Sequence, residues 1–156
     1  MFIPPACELK PLPIDWLWSG YRANGSLAML DGDPGLGKSL LMIDLAARLT
    51  TGRAWPDGAP SPGPASALFL CDEDADSIVV ERLRRAEADM ARVFLWPRLT
   101  DGGLPRLPTE VNRLDEALKQ TAAKLVIIDP IMAFWDRGVE VNAGPANRDR
   151  SGPRAS

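Results

Sequence analysis

Residues 32–39 read Gly32-Asp33-Pro34-Gly35-Leu36-Gly37-Lys38-Ser39, and this stretch decides the predicted fold. It matches in full the pattern G-x-x-x-x-G-K-[ST], whose glycines let the backbone wrap closely around a phosphate chain. Backbone N–H groups at the start of the next helix solvate the phosphates, the lysine reaches the β- and γ-phosphates, and the serine coordinates Mg²⁺. The stretch therefore predicts a phosphate-binding loop for ATP and Mg²⁺. The alternative is a glycine-rich turn without a ligand.

The residues on either side of this loop have the pattern that it requires. Residues 26–31, SLAMLD, form an apolar run that stops at Gly32 and predicts a buried strand. From residue 38 to 50 the apolar side chains recur at helical spacing, and Gly52 is expected to end the helix.

Three further apolar runs predict strands at residues 67–71, 93–96 and 125–128, the last of which leads into Asp129. Strands and helices therefore alternate along the chain, which predicts an α/β fold with a mostly parallel sheet between two layers of helices. In such sheets ligands bind beyond the carboxyl ends of the strands.

Two helices are predicted between these strands. Ser77 or Asp76 caps the first, which turns inward the apolar residues Ile78, Val79, Leu83, Ala86 and Met90. Thr109 is the predicted N-cap of the second, where Val111, Leu114, Leu118 and Ala122 recur at helical spacing. Residues 56–64 and 97–108 are rich in proline and glycine and are predicted to be loops.

Gly32, Glu73 and Asp129 each follow a predicted strand end, so they should converge on one edge of the sheet. Asp129 is expected to hold Mg²⁺ opposite Ser39. The alternative for Asp129 is a helix cap or a turn residue before Pro130.

Hydrolysis of ATP also requires a base for the attacking water. Many P-loop motors carry a glutamate directly after the metal aspartate, but Pro130 occupies that position here. The candidates are therefore Asp72, Glu73 and Asp74, which follow the strand at residues 67–71. The alternative is an acidic loop that caps the following helix, because helix N-termini favour carboxylates.

Composition narrows the classes of function. The chain has 156 residues, a net charge of −3 and no histidine, so chemistry has to rest on carboxylates, lysine and backbone amides. Nothing in this charge balance requires nucleic acid or an acidic membrane. Cys7 and Cys71 lack metal-ligand spacing, Cys71 is expected to be a buried thiol, and a reducing cytoplasm fits best. We find no 18-residue apolar stretch and expect no membrane association.

The two ends of the chain differ from its centre. Residues 1–25 are proline-rich and predict an extended lead-in that lays Trp16 and Trp18 on the domain, with adenine stacking as the alternative. Residues 143–156 contain no large apolar side chain and predict a disordered tail. The abrupt change near Asn142 suggests a frameshifted or truncated product, with the ATPase domain over residues 1–142.

Four segments together resemble the RepA-like AAA-type ATPases, which are RecA-fold proteins akin to plasmid and phage replicative hexameric helicases. The segments are GDPGLGKSLLMIDLAARLTTGRAWPDG (32–58), ALFLCDEDADSIVVERLRRAEAD (67–89), ARVFLW (91–96) and KLVIIDPIMAFWD (124–136). The resemblance covers residues 12–142, and its motifs are more specific than the phosphate-binding loop alone.

The resemblance implies a three-layer RecA-like fold, ATP with Mg²⁺, a homo-oligomeric ring such as a hexamer, and a part in DNA replication or remodelling. It carries over Lys38 and Ser39 as phosphate and metal residues, Glu73 as the catalytic glutamate and Asp129 as the metal aspartate. The family pattern continues beyond residue 142 with further strands, one of which lies between the two strands that carry these residues. We therefore expect either a gap in the sheet or direct pairing of residues 26–31 with residues 125–128.

Two other functions fit the sequence. One is a truncated, non-catalytic nucleotide-binding remnant. The other is a small-molecule P-loop kinase, although Arg148, Arg150 and Arg154 are too few for the usual arginine-rich lid. A second arginine cluster, Arg82, Arg84 and Arg85, predicts a solvated helix face, with a DNA contact as its alternative.

Overall fold

The computed structural model describes residues 3–71, 75–96 and 103–136. In these residues the strands and helices are β1 (Trp16–Trp18), β2 (Arg22–Ala23), α1 (Lys38–Thr51), β3 (Ser66–Cys71), α2 (Val80–Arg85), β4 (Val93–Leu95), α3 (Val111–Thr121), β5 (Ala123–Asp129) and α4 (Ile131–Phe134). The strands predicted at residues 67–71, 93–96 and 125–128 are thus confirmed as β3, β4 and β5.

A parallel three-stranded sheet in the order β4-β3-β5 forms the centre of the domain. Its middle strand β3 reads SALFLC, and five of these six residues are buried. A strand with helices over both faces has to be apolar on both faces, which explains the continuous apolar run. The register pairs Cys71 with Asp129, so β3 and β5 end side by side.

Helices cover both faces of this sheet, because alternate side chains of a strand point to opposite sides. On one face Phe69 and Ile127 pack in a cluster with Ile43 of α1 and Leu83 of α2. On the other face Leu68 and Leu70 pack with Leu107, with Phe134 of α4 and with half-buried residues of α3. The predicted three-layer RecA-like α/β fold is confirmed.

Helix α1 begins directly after the phosphate-binding loop and ends at Gly52, as predicted. Gly52 has φ 73° and lies against the Pro64 ring, where an added Cβ would come within 3.0 Å of Pro64 Cδ. Glycine tolerates this left-handed conformation without steric cost, which makes it the common residue at a helix C-terminus.

The prediction of a strand at residues 26–31 is wrong for this structure. These residues have no regular structure, and the side chains of Leu27 and Met29 are 86% and 78% exposed. In the described part of the chain β5 pairs with β3 alone, so its outer edge has no partner strand. A strand needs a neighbour for its backbone N–H and C=O groups, and residues 26–31 do not lie against β5 to provide one.

The predicted helix boundaries need three corrections. The helical stretch after β3 opens with a π-helical turn at residues 75–79, so both predicted cap residues, Asp76 and Ser77, lie within this stretch and not before it. Ile78 was expected inside but is 42% exposed, and α2 ends at Arg85. A separate 3₁₀ turn then holds Met90 against the core.

The second predicted helix, α3, also begins differently. Its N-cap is Glu110, whereas the predicted cap Thr109 donates its hydroxyl to the carboxylate of Asp136. Leu114 and Leu118 pack on the sheet, but Val111 is 56% exposed. A tertiary contact thus replaces the local cap that the sequence favours.

The lead-in forms a short antiparallel hairpin, β1–β2, in place of a wholly extended segment. Leu17 is buried with Leu49 and Trp55, and Trp18 stacks between Tyr21 and Trp55 with ring centroids 4.4 and 5.3 Å away. This cluster lies at the C-terminal end of α1, and a helix of 14 residues spans about 21 Å. Trp18 therefore packs on the domain far from the phosphate-binding loop.

In the described ranges we find no helix that combines the length and the apolar character needed to cross a membrane.

Candidate phosphate-binding site

The phosphate-binding loop leads straight into α1. Gly37 occupies the N-cap position of this helix with φ 83° and ψ 17°, and no side chain caps the first turn. A β-carbon is disfavoured in this left-handed conformation, which explains the glycine of the pattern. The first-turn N–H groups and the positive end of the helix dipole provide the environment that binds a phosphate.

Lys38 folds back over the loop. Its Nζ donates to the carbonyl oxygens of Gly32 and Asp33 at 2.6 and 2.8 Å. These neutral acceptors hold the ammonium group beside the space that the loop encloses. A phosphate oxygen is a stronger acceptor for this ammonium group because it carries negative charge, whereas a carbonyl oxygen is neutral. The loop therefore presents a cation that a phosphate chain can engage.

Ser39 connects the loop to the carboxyl end of β5. Its Oγ donates to Oδ2 of Asp129 over 2.6 Å, across 90 residues of sequence, and both groups are partly buried. The topology brings them together because β5 ends beside β3 at the edge where α1 begins. The N-cap position of the following helix α4 is Pro130, so Asp129 does not occupy it.

The donor set of this pair fits Mg²⁺. Hydroxyl and carboxylate oxygens are hard ligands of the kind that Mg²⁺ prefers. No group of three or more potential metal-ligating side chains (His, Cys, Asp or Glu) occurs among residues 3–71, 75–96 and 103–136. A magnesium ion at Ser39 and Asp129 would thus complete its shell with phosphate oxygens and water, as it usually does in nucleotide sites.

Glu73, the predicted catalytic glutamate, lies outside the described residues, as do Asp72 and Asp74. The chain leaves β3 at Cys71, two positions before Glu73, at the same sheet edge as Asp129. Cys71 itself is buried, as predicted.

A small cavity between α1, α2 and the ends of β3 and β5 adds one residue to the candidate site. Ser39, Asp129, Cys71 and Val79 line it together with Arg82. Arg82 is exposed, as predicted for the arginine cluster, and it also lines this cavity. Its spacing from Val79 on the helix after β3 was the signal that could have placed it at the site.

Comparison with known proteins adds a family model described as an AAA domain, which matches residues 7–150. The DNA repair protein RadA of Chlamydia trachomatis serovar D is 24% identical over 119 residues, which cover 76% of this chain and 22% of RadA. The RadA proteins of Campylobacter jejuni and Aquifex aeolicus are 24% and 18% identical over 137 residues, covering 88% of this chain and 26% of each relative. The chain thus spans about a quarter of the length of these relatives. No solved structure matches it significantly.

Proposed function

Since the chain belongs to the AAA domain family of RecA-like P-loop ATPases, we propose that it binds ATP with Mg²⁺ at residues 32–39 and hydrolyses it. The observation that carries this proposal is the hydrogen bond from Ser39 to Asp129. It brings the loop serine to the carboxylate at the end of β5, the pair of oxygen ligands that nucleotide-bound Mg²⁺ requires.

In the proposed reaction a water molecule attacks the γ-phosphorus in line with the β–γ bridging oxygen. The bond from phosphorus to that oxygen breaks, ADP leaves, and the proton of the water passes to Glu73. Lys38 moves from the loop carbonyls to the β- and γ-phosphates and offsets the charge that develops there. Ser39 and Asp129 would hold Mg²⁺, which would neutralise part of the phosphate charge.

We propose that this hydrolysis drives the remodelling of DNA. The relatives named DNA repair protein RadA and the RepA-like sequence motifs both support a role in DNA remodelling, of the type that ring-shaped replicative helicases perform. We propose that the chain acts in the cytoplasm as part of a homo-oligomeric ring such as a hexamer. Residues 1–142 form the ATPase domain in this proposal. The tail predicted at residues 143–156 lies outside the described residues.

The substitution Lys38→Ala tests the proposed site. We expect phosphate release from ATP to fall at least about 100-fold, because a preorganised donor aimed at developing charge contributes that much. Lys124→Ala is the matched control, because this exposed lysine lies at the start of β5, away from the loop. Equal ATP turnover by wild type and Lys38→Ala, measured with the same protein preparations, would exclude this site.

A second candidate is nucleotide binding without turnover. Two observations favour it: residues 26–31 are exposed, and in the described residues the outer edge of β5 has no partner strand. The phosphate-binding loop is therefore not anchored in the sheet by a strand that leads into it. Protection against thermal unfolding by ATP together with no phosphate release would support this candidate. Multiple turnovers per chain would exclude it.

A further inference from the structure

The three arginines of α2 have different surroundings. Arg85 forms an ion pair with Glu81 one turn earlier, at 2.9 Å. Arg82 instead lines the cavity that Ser39 and Asp129 also line. In the part of the chain that the structure describes, no hydrogen bond or ion pair engages the Arg82 guanidinium. All three arginines are exposed, as predicted, but Arg82 differs from the other two in also lining the cavity.

The helix geometry explains where Arg82 points. Leu83 is fully buried in the core, and Val79 packs against the same cluster, so Arg82 lies at the border of the buried face. Side chains of a helix lean toward its N-terminus. The N-terminus of α2 follows β3, whose carboxyl end lies beside Asp129. The guanidinium is thus directed to the sheet edge that carries the candidate site.

A bound triphosphate would bring more negative charge to this edge of the sheet than Lys38 alone neutralises. Lys38 contacts the loop, and the Asp129 carboxylate accepts from Ser39. A nucleoside triphosphate has one phosphate more than a diphosphate, and a planar guanidinium binds phosphate oxygens with two parallel hydrogen bonds. We propose that Arg82 contacts the terminal phosphate of bound ATP and makes the site prefer triphosphate over diphosphate. This inference rests on the proposed function.

The test compares the full chain with Arg82→Ala and Arg82→Lys in titrations of fluorescent ATP and ADP analogues in the presence of Mg²⁺. We expect Arg82→Ala to weaken ATP binding by roughly tenfold or more and ADP binding by less than about threefold, since hydrogen bonds to charged groups are the stronger ones. Arg82→Lys keeps the charge but not the planar fork, so its affinity for ATP should fall between the two.

Arg84→Ala is the matched control, because Arg84 is an exposed arginine of the same helix that does not line the cavity. It should bind both nucleotides as the wild type does. If Arg82→Ala weakens the binding of ATP and of ADP equally, or weakens the binding of neither, this inference is overturned. The proposed function would remain intact. A wild-type chain that binds neither nucleotide would overturn the proposed function and this inference with it.

Discussion

Lys38 and Ser39 are neighbours in the chain, yet their side chains have different partners. Lys38 bonds to carbonyl groups of its own loop, whereas Ser39 reaches Asp129 at the end of β5. In the proposed function the lysine therefore exchanges neutral acceptors for phosphate oxygens when a nucleotide binds. The serine and the aspartate already share a hydrogen bond, and to hold the proposed metal ion they would have to separate only enough to admit it.

This geometry predicts the effect of Asp129→Asn. An asparagine Oδ1 can still accept from Ser39 Oγ, but the side chain loses the charge that attracts Mg²⁺. We expect the Mg²⁺-dependent part of ATP binding to weaken by about 10- to 100-fold, the range seen when groups that support a metal site are lost. Titrations of ATP with Mg²⁺ and with a chelator measure this part.

Asp115→Asn is the control for this prediction, because Asp115 pairs with Lys119 on the exposed surface of α3. It should bind ATP as the wild type does under both conditions. Equal loss of affinity with and without Mg²⁺ in Asp129→Asn would show that Asp129 supports the loop and not the metal.

At the scale of elements, the segment that enters the phosphate-binding loop departs most from expectation. Residues 26–31 have the apolar composition of a buried strand, but they lie exposed, while β5 has an unpaired outer edge in the described residues. Of the two outcomes that the resemblance allowed, direct pairing of these segments does not occur. Apolar composition favours burial, but a strand forms only where a neighbouring backbone accepts its hydrogen bonds.

The exposure of this segment predicts that Leu27→Asp has little effect on stability. Because Leu27 is 86% exposed, its substitution should change the free energy of unfolding by no more than about 0.5 kcal/mol. Leu49→Ala provides the contrast, because Leu49 is fully buried and its truncation should cost about 2–5 kcal/mol. Denaturant unfolding followed by circular dichroism measures both. A cost above about 2 kcal/mol for Leu27→Asp would mean that this segment is buried in solution.

At the scale of the whole molecule, the proposed ATP binding would be linked to folding through the three layers. The loop and α1 lie on one face of the sheet, and Asp129 belongs to the sheet itself, so a ligand that bridges Ser39 and Asp129 joins two layers. Any ligand that binds the folded state alone stabilises that state by mass action.

We therefore expect ATP with Mg²⁺ to raise the melting temperature. At 100 times its dissociation constant a ligand stabilises by about 2.7 kcal/mol, which corresponds to roughly 5–10 °C for a domain of this size. The shift should be absent in Lys38→Ala and smaller when Mg²⁺ is removed. An equal rise in melting temperature for wild type and Lys38→Ala would place nucleotide binding elsewhere on the chain.

The sequence by itself determined the parts of this protein that depend on local pattern. The loop at residues 32–39, the helix that follows it, and the strands β3, β4 and β5 are readable because composition and hydrophobic period report which backbone is buried. The approach of Asp129 to the loop was also predictable, because parallel strands with covering helices bring their carboxyl ends to one edge.

Only the tertiary structure decided the features that depend on a partner from elsewhere in the chain. Residues 26–31 lack a neighbouring strand, and Thr109 bonds to Asp136 instead of capping α3. Each outcome depends on which distant residues come into contact, and short-range propensities of the order of 1 kcal/mol or less yield to such contacts.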